Sequence, residues 1–84
     1  MDSNELSQAL QVYNPTINGK YKLYIQLNDN KRLDIQITDV GVSTMLFQKT
    51  DFGYFGTGKP RSGSADEMIA HIRAVVEGWK FLYS

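Results

Sequence analysis

From Lys20 to Thr38 the apolar residues of this chain fall at every second position. Tyr21, Leu23, Ile25 and Leu27 alternate with Lys20, Lys22, Tyr24 and Gln26; after Asn28, Asp29, Asn30 and Lys31, the residues Leu33, Ile35 and Ile37 alternate with Arg32, Asp34, Gln36 and Thr38. A period of two belongs to strands with one covered and one open face, and a short polar turn between two such runs predicts an antiparallel hairpin. Whatever else the chain does, it must cover that apolar face.

The flanking segments supply the cover. Asp2 to Glu5 reads as a helix start with a capping acid, and Leu6, Ala9, Leu10 and Tyr13 then recur at helical spacing. Asn14 before Pro15 ends that helix, because a residue preceding proline is pushed out of the α region. Asn18-Gly19 predicts a turn. At the other end Ser64 to Glu67 forms a second capping box. The helix after it gathers Ala65, Met68, Ile69, Ile72, Val75, Val76 and Trp79 into one arc, with Asp66, Ala70, Arg73, Ala74 and Glu77 opposite. Gly78 suits a left-handed C-terminal cap, and Trp79, Phe81 and Tyr83 suit one side of a final strand.

Between hairpin and helix, Asp39 to Gly41 predicts a turn and Val42 to Lys49 a third strand. The run from Phe52 to Ser64 holds four of the seven glycines and one of the two prolines, and is expected to be a Gly-rich loop that Phe52 to Phe55 enters as a short strand. The fold class is α+β, in two layers. An antiparallel sheet of three to five strands carries two helices on one face, in the order α-β-β-β-(β)-α-(β).

Eighty-four residues form one small domain, 1–84, burying about 60–65% of its unfolded surface. The chain has no cysteine, so neither disulfides nor thiolate metal sites are expected. Nine basic residues balance nine acidic ones, and no long-range field draws the chain to nucleic acid or an anionic membrane. Neither a secretion signal nor an apolar run of about 20 residues is present, and a cytoplasmic location with no membrane association is the expectation.

Gly53 to Lys59 matches the spacing G-x-x-x-x-G-K of a phosphate-binding loop. Pro60, however, stands where a magnesium-holding hydroxyl belongs, and the helix starts too far on for its N-terminus to meet a phosphate held by Lys59. No cofactor is expected. The order helix, three strands, helix resembles the double-stranded-RNA-binding domain over roughly the whole chain. That resemblance implies a Gly-rich turn, here with Gly56, Gly58, Lys59 and Arg61, followed by a helix whose first residues grip phosphate. This chain has Ala65, Asp66 and Glu67 there, and carboxylates repel phosphate.

The single histidine, His71, lies at the border of the helical arc; one histidine builds no metal site. Ser43, Ser62 and Ser64 lack a base at a useful spacing, and Asp39 and Asp51 read as turn-capping carboxylates. No catalytic residue is assigned. The candidate binding loop is Tyr54, Phe55, Lys59 and Arg61, aromatic and basic residues of the kind that protein interfaces favour. The reading is a small non-enzymatic protein that binds another protein, in character an accessory protein of a mobile element or phage. Two alternatives are a nucleic-acid-binding module using the Gly-rich loop 53–63, and a small-molecule-binding protein or enzyme. A homodimer is expected if residues 79–83 form an edge strand.

Overall fold

The alternation around residues 22–38 becomes a hairpin with Leu23 opposite Ile35 and Ile25 opposite Leu33. The Asn28 side chain closes its turn: Oδ1 accepts from the backbone N–H of Asn30 at 2.7 Å and of Lys31 at 2.8 Å. The structure, a computed structural model, describes the backbone of residues 1–83 and the side chains of residues 1–80. Its elements are α1 (Ser3–Ala9), a 3-10 turn (Gln11–Tyr13), β1 (Thr16–Gly19), β2 (Lys22–Gln26), β3 (Lys31–Thr38), β4 (Gly41–Thr50), β5 (Gly53–Gly63) and α2 (Ala65–Tyr83). The five strands form one antiparallel meander in chain order.

Both helices lie on the same face of the sheet. Leu23, Ile25, Leu33, Ile35, Ile37 and Val42 meet Leu6, Leu10 and Tyr13 from the N-terminal segment and Met68, Ile72 and Val76 from α2 in one buried cluster. Asp2 caps α1, its Oδ1 accepting from the N–H of Glu5 at 3.0 Å. Ser64 does the same for α2 through Oγ and the N–H of Glu67, at 3.3 Å. Ser3 pins α1 to the sheet: its N–H donates to the Lys20 carbonyl at 2.8 Å and its hydroxyl to the Gly19 carbonyl at 2.7 Å. The two helical segments are joined by the Tyr13 hydroxyl, which donates to Glu77 at 2.6 Å. That hydrogen bond holds the phenol above its ordinary pKa.

Five expectations need correction. Residues 79–83 are the end of α2, not a strand. Gly78 is therefore inside the helix, and its φ is not among the positive ones. Continuing the helix keeps the backbone groups paired within the segment, whereas a strand would have needed a sheet edge to join. The side chains of Phe81, Leu82 and Tyr83 lie outside the described residues, but the edge strand on which the homodimer expectation rested is absent.

Residues 56–63, expected as a loop after a short strand at Phe52 to Phe55, continue that strand instead, and Gly53–Gly63 is the longest strand of the sheet. Asn18-Gly19 ends a short strand, β1, rather than forming a turn by itself; the turn is at Lys20 and Tyr21, which leaves Tyr21 exposed instead of in the core. The first helix stops at Ala9 and tightens into the 3-10 turn, ending on Asn14 in the left-handed conformation (φ 52°).

Gly41 is fixed by space as well as by backbone. Its φ is +149°, and a Cβ there would fall on the carbonyl oxygen of Gly63. This is where β4 starts against the end of β5. With five strands between its helices, the chain departs from the three of the double-stranded-RNA-binding order.

A strand edge, an open sheet face and a cationic cavity: the candidate functional site

The glycines of residues 53–63 serve a bulge. Opposite Thr44 stands Arg61 and opposite Leu46 stands Thr57, so the single residue Met45 faces three, Gly58, Lys59 and Pro60. Two surplus residues must bow out of the strand, which Gly58 permits with a φ of +76°. Pro60 has no N–H to give to a ladder, and a bulge is one of the few places in a sheet that tolerates it. Before the bulge, Gly56 lies under Met45: a Cβ there would meet Met45 Cε at 2.6 Å. The residues matching a phosphate-loop spacing are thus spread along an extended strand, ahead of a helix that begins only at Ala65.

The four candidate residues all lie on β5, but not on one face. Tyr54 pairs with Lys49 and projects to the open side of the sheet, where its ring packs against Arg32 at 4.3 Å. Phe55 pairs with Gln48 on the helix side and stays 54% exposed. Arg61, opposite Thr44, is also on the helix side, and Lys59 in the bulge lines the same cavity. Tyr54 and Phe55 therefore form no continuous stacking platform. What the four share is the free edge of β5.

The open face has a centre that sequence reasoning did not single out. The Arg32 guanidinium stacks between the rings of Tyr24 (4.7 Å) and Tyr54, with Phe47 at 5.8 Å. Its Nε stands 2.8 Å from Asp34 Oδ1, off the direction of a straight hydrogen bond, and Nη2 donates weakly to Oδ2 at 3.5 Å. Burial raises the Asp34 pKa, against the opposing pull of Arg32 and then Lys22.

Beside this cluster lies a cavity of about 340 Å³ walled by Lys22, Asp34, Gln36, Met45 and Phe47, with Asn18 and Pro60 from the two edge strands at its rim. The only signal in the sequence was the alternation itself, which puts Tyr24, Arg32 and Asp34 on the polar side. That Phe47 and Tyr54 join them depends on strand pairing.

On the helix side a second cavity, of about 300 Å³, opens between the bulge and α2. Lys59, Arg61 and His71 stand around it, with Thr44 and Thr57. His71, placed at the border of the helical arc by its spacing, is half-buried there. Its pKa is lowered by burial and then by the Arg61 charge.

Among the described residues no three His, Asp or Glu side chains converge as a metal site requires. No described helix is long and apolar enough to cross a membrane. No family model matches this chain, and neither a curated protein nor a solved structure matches it.

Proposed function

We propose that this chain is a non-enzymatic binding protein that takes up an extended, acidic segment of another protein along the free edge of β5. The observation that carries the reading is that an 11-residue strand, exposed along nearly its whole length, is paired on one side only. Unpaired N–H and C=O groups in a row are a template for a further strand, and strand addition is a recurring way to hold a peptide. Charge selects the occupant. Between Phe52 and Ala65 there are Lys59 and Arg61 and no acidic residue. Some five main-chain hydrogen bonds at about 1 kcal/mol each, less the ordering of the peptide, give weak binding. Side chains such as Phe55 must supply the rest.

A nucleic-acid partner fits the site less well. The rings on the open face are taken up by Arg32, with Asp34 beside it, and α2 opens with Asp66 and Glu67.

The experiment is an amide-shift titration of the labelled protein with a seven-residue peptide alternating glutamate and valine. Saturable shifts are expected along residues 53–63, about tenfold weaker in the Lys59→Glu, Arg61→Glu double variant, and absent with a lysine-valine peptide. Shifts elsewhere, or none, overturn the reading. Salt-sensitive binding of single-stranded RNA, abolished by the same double variant, would transfer the edge to nucleic acid.

A further inference from the structure

We infer that the cavity between the β5 bulge and α2 binds the carboxylate of an amphipathic ligand, with the charged end at Thr44, Lys59 and Arg61 and the hydrocarbon body against Leu46 and Val75. This inference does not rest on strand addition at the β5 edge, and Thr44 takes no part in that edge. Its first support is Thr44, which is 3% exposed, faces the cavity of about 300 Å³, and has no described group hydrogen-bonded to its hydroxyl. The residue is buried but its hydroxyl is not among the sealed, unpartnered polar atoms, so it stays accessible and free to donate to a ligand oxygen. Thr57, by contrast, already directs its hydroxyl to the Leu46 carbonyl at 3.4 Å.

The second support is charge. Lys59 and Arg61 reach the same cavity from β5 and His71 from α2, while no carboxylate lines it. Neither Lys59 nor Arg61 has an ion-pair partner among the described residues. The nearest acid on α2, Glu67, is one turn before His71 and lies instead over Gly63. The third support is the apolar part of the lining. Leu46 from β4 and Val75 from α2, both half-buried, line it beside the buried Leu33, and a bare inorganic anion would leave Leu46 and Val75 uncovered. A carboxylate carrying a short aliphatic or aromatic body satisfies both ends. Arg61 can take its two oxygens in a paired contact, and Thr44 can donate to one of them.

Such a carboxylate is either that of a free small acid or the C-terminus of a peptide ending in an apolar residue, and two probes separate them. The labelled protein is titrated with hexanoate and, separately, with an acetylated tripeptide ending in leucine. Saturable shifts at Thr44, Thr57 and His71, with a Kd of about 1 mM for either probe, support the inference, and the tighter probe identifies the source. The His71 titration midpoint should rise on saturation, because an anion beside an imidazole favours its charged form.

Thr44→Val keeps the shape and removes the hydroxyl; it should weaken binding about fivefold. Arg61→Gln, at an exposed position that does not endanger folding, should weaken it about tenfold. Absence of binding by both probes at 20 mM overturns the inference. So does binding that Arg61→Gln leaves unchanged, or inorganic phosphate binding as tightly as hexanoate.

Discussion

Arg32 shows how one side chain can substitute for a missing layer. The helices cover only one side of the sheet, and on the other the rings of Tyr24, Phe47 and Tyr54 would face water if the guanidinium did not lie over them. Cation–ring contacts and the aliphatic stem contribute about 1–2 kcal/mol in such a half-buried place. Asp34 holds the guanidinium there while its own pKa is raised by burial. A carboxyl whose folded pKa exceeds its unfolded one favours the fold at low pH. That contribution is complete below the ordinary carboxylate range and fades as pH rises through the folded pKa. Arg32→Met removes the strongest influence opposing the burial. The Asp34 carboxyl should then titrate higher still, followed by carbon-detected NMR. The variant should lose about 1–2 kcal/mol near pH 7 and less near pH 3, where Asp34 is neutral. A midpoint that stays put or falls would show that Arg32 does not govern the carboxyl.

Among the elements, α2 and β5 hold the most consequence. The 19 residues of α2 run from the β5 bulge to the N-terminal segment, where Glu77 accepts from Tyr13 and Arg73 donates to the Ala9 carbonyl at 3.3 Å. Gly78 stands inside this helix with no neighbouring atom within 4 Å of a would-be Cβ. Gly78→Ala should therefore stabilise the protein, by up to about 1 kcal/mol, because alanine gives up less backbone freedom in a helix. Were Gly78 a left-handed cap, the same change would destabilise by a similar amount. Chemical denaturation separates the two by sign. In β5, the bulge at Gly58, Lys59 and Pro60 shapes the cationic cavity and interrupts the edge.

For the whole molecule, the question raised by an exposed edge is why copies do not stack on one another. Lys59 and Arg61 bring like charges together when two copies meet, where an acidic segment meets opposite charge. Pro60 and the bulge limit the regular edge to residues 53–57, enough for a short segment but not for two whole strands. These are the devices by which natural sheets guard their edges. The wild type should sediment as a 9.5 kDa species at tens of micromolar. A Lys59→Thr, Pro60→Thr, Arg61→Thr variant should form dimers and larger species as concentration rises. A triple variant that remains monomeric at millimolar concentration would mean that other features guard the edge.

The sequence by itself determined the α+β class, both capped helix starts, the hairpin of β2 and β3, and the buried arc of α2. Each follows from a spacing of apolar residues or a local capping group, interactions that span only a few positions. It also placed His71 at the helix border, where the structure has it. What the sequence did not determine was the state of residues 56–63, since glycine and proline serve a loop and a bulged strand equally well; the choice is made by β4, whose backbone groups on the side away from β3 pair with β5 from Val42 to Thr50. The end of α2 escaped for a related reason. Alternating aromatics at 79, 81 and 83 fit a strand locally, but Trp79 stays on the helical stripe, with the Lys31 ammonium 5.0 Å from its ring centre. The Arg32 cluster and the cavity beside Thr44 are tertiary in the same sense. They bring together residues from three or four separate elements, and no local pattern records which strands will be neighbours.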